Sequence, residues 1–185
     1  MPISFIELPF GFPGRVFQSP IPFGPYDLHG EVYDRFCEEQ IGVIVLLASD
    51  EACLHKTGCH LRALYLKEGF QVLYLPIPDF SVPAKDALEQ AVHNTIAYAQ
   101  AGQHIVIHCS AGIGRTGLFM AYLAKRWLSL SGAEALQWVR RFIPRAAETP
   151  EQQQLVLYEE SSQGTQSRRC PPSWHHVLLP LPFSS

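Results

Sequence analysis

Ten consecutive residues organise the chain: His108-Cys109-Ser110-Ala111-Gly112-Ile113-Gly114-Arg115-Thr116-Gly117. A short apolar run rich in β-branched residues precedes it at residues 103–107 and is typical of a buried strand. The residues that follow, 118–128, are apolar nearly all round and predict a helix in the centre of the molecule. The pattern therefore predicts a strand, a tight loop that carries Cys109, and a helix that begins near Arg115.

The composition of this loop favours an anion. Gly112 and Gly114 allow successive backbone N–H groups to point inward as a nest, and the start of the next helix adds donors and a partial positive charge. Arg115 carries a planar guanidinium that can bind two oxygens of one phosphate. The same surroundings stabilise a thiolate on Cys109. The alternative, a buried cysteine before an ordinary glycine-rich turn, accounts for neither Arg115 nor the two glycines.

The pattern His-Cys-x5-Arg-Thr resembles the signature loop of the cysteine-dependent protein tyrosine phosphatases, in particular of their small tyrosine and dual-specificity members. The resemblance covers about residues 14–160. It implies that Cys109 is the nucleophile, that Arg115 binds the phosphate, that Thr116 donates a hydrogen bond to the sulfur and that His108 orients the loop. It also implies that the phosphate oxygens are bound by the backbone of Ser110, Ala111, Gly112, Ile113, Gly114 and Arg115.

A second functional segment is predicted at residues 76–83, where three prolines in eight residues prevent a strand from continuing. The segment follows a predicted strand and holds one carboxylate, Asp79. Ligands bind at strand ends in open parallel sheets. The family has its general acid in such a loop, thirty residues before the nucleophile, and the resemblance therefore implies this role for Asp79. The alternative is an aspartate that only shapes a turn after a proline.

Residues 148–152, Glu-Thr-Pro-Glu-Gln, carry the signature of a helix start. Thr149 and Gln152 have the spacing of a capping box, and proline occupies the first helical position. The segment also resembles the glutamine loop of the family, in which Gln152 matches the second glutamine and Glu148 replaces the first. Two roles stay open for Gln152: contact with the phosphate pocket, or capping alone.

The rest of the chain alternates apolar runs with amphipathic segments and predicts an α/β class. We expect a central, mostly parallel sheet of about four to five strands flanked by helices, as in the protein tyrosine phosphatase-like fold. One catalytic domain is expected at residues 1–160, with a linker and tail at 161–185. Strands are predicted at 15–19, 41–47, 70–75 and 103–107, a loop at 49–56, and helices at 27–39 (capped by Asp27), 58–68, 84–101, 118–128, 131–143 and 151–160.

Composition limits the other function classes. The 185 residues carry a net charge of −3 without a basic block, which argues against nucleic acid or an anionic membrane as the main partner. The five cysteines form no zinc or disulfide pattern. No signal peptide and no apolar run near the ~18 residues of a membrane span is found. We expect a cytoplasmic monomer without metal or cofactor.

The loop interior between Cys109 and Arg115 lacks Lys and His, which relatives that act on inositol phosphates tend to have. We therefore expect phosphorylated proteins as substrates, phosphotyrosine first, with phosphoserine and phosphothreonine left open, and a phosphocysteine intermediate. Two alternatives remain: a phosphatase of an inositol phosphate, a nucleotide or an RNA 5′ end, and a non-catalytic phosphotyrosine-binding module. Binding modules usually lack one of Cys109, Arg115 and the acid. Redox protection of Cys109 by Cys53 or Cys59 stays open.

Overall fold

A computed structural model describes residues 5–158, in which five strands alternate with seven helices. The predicted α/β class is therefore confirmed. The strands are β1 (Ile6–Leu8), β2 (Val16–Ser19), β3 (Ile41–Leu46), β4 (Gln71–Tyr74) and β5 (His104–His108). The helices are α1 (Glu31–Glu38), α2 (Asp50–Thr57), α3 (Leu61–Lys67), α4 (Lys85–Gln100), α5 (Gly114–Trp127), α6 (Gly132–Arg140) and α7 (Pro150–Leu157).

The strands form one sheet in the order β1-β2-β5-β3-β4. β2, β5, β3 and β4 run parallel, and only β1 pairs antiparallel with β2 at the edge. Strand β5 lies in the middle of the sheet. The loop after it therefore lies at the centre of the edge that the carboxyl ends of the parallel strands form. Strand β1 was not predicted, because its three residues lie in a segment rich in proline, glycine and phenylalanine.

Hydrophobic residues of the sheet pack against helices on both faces. On one face Val43, Val45 and Leu47 join a core built with helices α4, α5, α6 and α7. On the other face Ile44 and Leu46 join a core built with α1, α2 and α3. The nearly continuous apolar run of β3 is explained by this double burial, as predicted for a strand between two helical layers.

Helix α5 is the most deeply buried helix, since every residue from Gly114 to Ala124 is buried. Residue 117 must be small for this packing. A Cβ added at Gly117 would lie 2.5 Å from the Cα and 2.6 Å from the Cβ of Ala146. The loop between α6 and α7 therefore packs directly on the first turn of α5.

Two predicted elements are corrected. Helix α1 begins at Glu31, after Gly30 in a left-handed conformation, and not at Asp27. The Asp27 side chain is buried and accepts hydrogen bonds from the backbone N–H groups of Phe23 (2.8 Å) and Val32 (3.2 Å), so it supports the first turn of the helix from outside. Helix α1 therefore begins after the turn that Asp27 stabilises, and not at Asp27 itself.

The predicted loop at residues 49–56 is helix α2 instead. The Ser49 hydroxyl accepts a hydrogen bond from the backbone N–H of Ala52 (3.1 Å), and Asp50 and Glu51 occupy the first turn, where the helix dipole favours acidic residues. Gly58 ends the helix in the left-handed conformation, with φ of 72°. Helix α3 consequently starts at Leu61 and not at Gly58.

The other predicted elements agree with the structure to within a few residues at their ends. The capping boxes at Ser131 and Thr149 are both present. The predicted tail at residues 161–185 lies outside the described residues. Among the helices of residues 5–158, none combines the length and the apolar character needed to cross a membrane.

The contact of Gly117 with Ala146 yields a stability prediction. We expect Gly117→Ala to lower the free energy of unfolding by about 1–3 kcal/mol, because the added methyl group has to displace backbone rather than a flexible side chain. Urea denaturation measures this change. Ala97→Ser, which adds one atom at an exposed position of α4, is the control and should change stability by about 0.5 kcal/mol or less. Equal midpoints for the two variants would contradict the packing argument.

Candidate active site

The cysteine loop, residues 109–113, connects the carboxyl end of β5 to the start of α5. Backbone hydrogen bonds hold it on both sides. The N–H of Ile21 donates to the carbonyl of Ser110 (2.8 Å), and the N–H of Leu47 donates to the carbonyl of His108 (3.0 Å). The segments that follow β2 and β3 therefore fix the position of the Cys109 side chain, which is only 3% exposed.

Close approach restricts both Gly112 in the loop and Gly114 at the start of α5, and conformation also restricts Gly112. Gly112 has φ of 76°, and a Cβ there would lie 2.5 Å from the backbone oxygen of Ser19. A Cβ at Gly114 would lie 2.7 Å from the Glu148 carboxylate and 3.3 Å from the side-chain oxygen of Gln152. The start of α7 therefore packs against the loop at Gly114.

Arg115 and Asp79, predicted from distant parts of the sequence, are brought together. The Arg115 guanidinium donates to the carbonyl of Ile77 (2.9 Å) and forms an ion pair with the Asp79 carboxylate (3.0 Å). The Arg115 side chain is 4% exposed, whereas that of Asp79 is 49% exposed. The arginine thus links the cysteine loop to the proline-rich loop that follows β4.

Lys56 is a site residue that the sequence interpretation missed. Its ammonium donates to the hydroxyl of Ser110 (2.8 Å) and lies 3.4 Å from the Asp79 carboxylate. Helix α2 carries this side chain into the site from the region that was predicted to be a loop. Ser49 before two acidic residues, with Gly58 eight residues after Asp50, was the available signal for the helix.

These residues surround one cavity of about 270 Å³. Two aromatic side chains on its wall, Tyr26 and Phe80, are 60% and 66% exposed. The Arg145 guanidinium also lines the cavity and pairs with the Glu148 carboxylate (2.9 Å). The remaining lining residues are Lys56, Asp79, Cys109, Ser110, Ala111, Ile113, Gly114, Arg115 and Gln152.

Gln152 caps helix α7 and also lines the cavity, and its contact with a bound phosphate stays a prediction. Its backbone N–H donates to the Thr149 hydroxyl (3.2 Å), as the capping box requires. The side chain is 1% exposed, lines the cavity and donates to the carbonyl of Ser81 (3.0 Å). Gln152 therefore fastens the Asp79 loop to the start of α7.

Comparison with known proteins identifies the family. Residues 27–128 match the family described as "Polymorphic toxin system, DSP-PTPase phosphatase". The chain belongs to this family. It is a small, cysteine-based phosphatase of the protein tyrosine phosphatase superfamily, as the loop at residues 108–117 predicted.

Three similar proteins illustrate the relationship. The uncharacterized protein MJECL20 of Methanocaldococcus jannaschii is 31% identical over 121 residues, which are 64% of this chain and 76% of that protein. Dual specificity protein phosphatase CDC14B of Mus musculus is 36% identical over 94 residues, half of this chain, which spans only 19% of that relative. The crystal structure of Tk-PTP in the active form aligns with a TM-score of 0.64 and 29% identity, covering 77% of this chain and 89% of that one.

In this phosphatase His108 is fully buried beneath the cysteine loop. Its Nδ1 lies 3.5 Å from the carbonyl of Cys109, and its Nε2 lies 3.1 Å from the hydroxyl of Tyr65. Burial lowers the pKa of His108 from 6.5 to about 4, so the imidazole is neutral near pH 7. Burial also raises the pKa of Tyr65, which keeps its proton for this contact. These contacts connect His108 to the loop backbone and to α3, and its role in orienting the loop stays a prediction.

Two further side chains near the phosphatase loop, Thr116 and Cys53, are fully buried. Thr116 is fully buried, and within residues 5–158 its hydroxyl has no hydrogen-bond partner. The predicted donation to the Cys109 sulfur is therefore absent from this arrangement, and the role of Thr116 stays a prediction. Cys53 is also fully buried, and burial raises the pKa of its thiol to about 11, which makes it a poor thiolate near pH 7.

The buried imidazole predicts a pH dependence of stability. Because the folded protein binds the His108 proton less readily than the unfolded chain, the unfolded state takes up more protons between pH 6.5 and about 4. The stability contribution of neutral His108 is complete above pH 6.5 and is lost as the pH falls toward 4. We expect about 3 kcal/mol of the unfolding free energy to disappear in this window.

Urea denaturation at several pH values tests this dependence in the wild type and in His108→Gln. The variant lacks the titrating group, so its stability should change less between pH 7 and pH 4.5. His93→Gln removes an exposed histidine of α4 and should keep the wild-type pH dependence. Identical slopes for His108→Gln and the wild type would contradict the assignment.

Proposed function

We propose that this phosphatase hydrolyses phosphotyrosine in proteins through a phosphocysteine intermediate, with phosphoserine and phosphothreonine as secondary substrates. The observation that carries the proposal is the recessed position of Cys109, 3% exposed in a cavity whose wall includes the exposed rings of Tyr26 and Phe80. A phosphate at the end of an aryl group reaches farther from the peptide backbone than one on serine or threonine. Aromatic walls also stabilise an aryl ring by stacking.

The first chemical step uses Cys109, Arg115 and Asp79. The thiolate attacks phosphorus in line with the ester oxygen, an S–P bond forms, and the P–O bond to the substrate breaks. The backbone N–H groups of residues 110–115 and the Arg115 guanidinium stabilise the charge on the other phosphate oxygens. Protonated Asp79 transfers its proton to the leaving oxygen. In this mechanism the incoming phosphate replaces Asp79 as the partner of Arg115.

The second step returns the protein to its starting state. A water molecule attacks phosphorus and gives a proton to the Asp79 carboxylate, the S–P bond breaks, and the Cys109 thiolate and inorganic phosphate are released. Thr116, after a rotation of its hydroxyl toward the sulfur, would stabilise the departing thiolate. The mechanism uses no metal or cofactor, and it requires a reduced cysteine, which fits the proposed cytoplasmic setting. The site lies within one chain, so a monomer suffices.

A second candidate function is hydrolysis of a phosphate ester that is not part of a protein. Lys56 and Arg145 add positive charge to the cavity wall although the loop interior has none. Such charges suit a small molecule with several phosphates. The exposed aromatic rings favour the protein substrate, so we rank this function second.

Phosphate release from matched phosphotyrosine, phosphothreonine and phosphoserine peptides, assayed without metal, tests the proposal. We expect the phosphotyrosine peptide to have a kcat/KM at least about tenfold higher than the others, because its longer side chain brings the ester closer to the recessed sulfur. Cys109→Ser should abolish turnover and still bind the peptide. Release from an inositol phosphate or a nucleotide, with none from peptides, would favour the second function. Binding without release by the wild type would favour a phosphotyrosine-binding module.

The role of Asp79 predicts a dependence on the leaving group. We expect Asp79→Asn to slow hydrolysis of a phenyl phosphate, a poor leaving group, by about 10²–10⁴-fold, because no proton is supplied to the leaving oxygen. A nitrophenyl phosphate, whose leaving group needs no proton, should be slowed much less. Asp86→Asn, at an exposed position of α4, is the matched control and should behave as the wild type. An equal effect of Asp79→Asn on both esters would exclude Asp79 as the general acid.

A further inference from the structure

We propose that Lys56 binds a second anionic group of the substrate, next to the phosphate that is hydrolysed. The proposal rests on the proposed function, because it names a chemical feature of the substrate of the same site. Lys56 lies on α2, outside the signature loop, and its side chain lines the cavity that contains Cys109.

The hydrogen bonds of Lys56 leave one donor for a ligand. An ammonium group has three N–H donors. One is used by the Ser110 hydroxyl at 2.8 Å and one by the Asp79 carboxylate at 3.4 Å, a long contact. Among the described residues the third donor has no protein acceptor. The side chain is 28% exposed, so this donor is accessible to a ligand in the cavity.

The charges of the cavity favour a further anionic group beside Lys56. Arg145 is already paired with Glu148 at 2.9 Å. To act as a general acid Asp79 has to be protonated, and it then no longer offers a negative charge to Lys56. In the reactive state Lys56 therefore has no carboxylate partner among the described residues, and its positive charge attracts anionic groups of the substrate.

The position of Lys56 restricts where this anion can be. Its ammonium donates to Ser110, the residue that follows the nucleophile, so the second anion has to lie beside the scissile phosphate. Two sources have this chemistry: an acidic side chain that flanks phosphotyrosine in a peptide, and a neighbouring phosphate on a small polyphosphorylated molecule. The shared requirement is a negative group adjacent to the phosphoester.

Binding to Cys109→Ser, which carries the nucleophile substitution but keeps Lys56, tests the proposal by calorimetry. The ligands are phosphotyrosine peptides with Glu or Gln on both sides of the phosphotyrosine, and inositol with either two neighbouring phosphates or one. We expect the more anionic member of at least one pair to bind about tenfold more tightly. Preference within the peptide pair identifies an acidic side chain as the source, and preference within the inositol pair identifies a neighbouring phosphate.

Added substitutions identify Lys56 as the cause. Lys56→Met should abolish the preference, and Lys56→Arg should keep most of it because the positive charge remains. Lys67→Met removes the same charge from the exposed end of α3 and should keep the full preference. A preference that survives Lys56→Met, or its absence in both ligand pairs, overturns the proposal.

Turnover by the protein with intact Cys109, measured in parallel, keeps the two proposals apart. A Lys56-dependent preference in binding without any phosphate release would support the anion site and contradict the proposed hydrolysis. Release that does not depend on the second anion, together with binding that does not depend on Lys56, would contradict only the anion site. If Lys56→Met lowers kcat/KM equally for both members of a pair, Lys56 acts on the scissile phosphate or through Asp79, and the proposal is also overturned.

Discussion

The buried guanidinium of Arg115 is the constraint on which the site depends. A charge with 4% exposure has to be compensated by hydrogen bonds and an opposite charge, and here the carbonyl of Ile77 and the carboxylate of Asp79 supply both. These partners come from the loop after β4, while Arg115 follows β5. Two loops that are thirty residues or more apart in sequence must therefore meet at one edge of the sheet.

Strand β3 makes this meeting possible, because it lies between β5 and β4. Just beyond β3, the N–H of Leu47 donates to the carbonyl of His108 (3.0 Å), and its own carbonyl accepts from the N–H of Ile77 (3.0 Å). The backbone of Leu47 thus fixes the position of the cysteine loop relative to the loop that carries Asp79. Residues 43–46 of β3 are fully buried and pack on both helical layers, which holds the neighbouring Leu47 rigidly in place.

The features that could be predicted from sequence are those set by local chemistry. The cysteine loop, the central helix after it and the capping boxes at Ser131 and Thr149 follow from residues within a few positions of one another. Strand β1 forms by pairing with β2, and Asp27 supports α1 through the backbone of Phe23 and Val32. These contacts depend on how the chain folds back on itself, so the local sequence pattern does not predict them. Helix α2 had local signals, in Ser49 and Gly58, but its polar surface residues made it look like a loop.

Lys56 shows why the interior of a phosphate loop is an incomplete guide to substrate charge. The uncharged residues between Cys109 and Arg115 suggested a site without additional cations. The walls of the cavity come from α2 and from the segment before α7, and these carry Lys56, Arg145 and Glu148. Because electrostatic attraction acts through space, a lysine 53 residues before the nucleophile contributes as directly to the positive charge of the cavity as one inside the loop. The substrate class of such a phosphatase therefore depends on which helices the fold places around the loop.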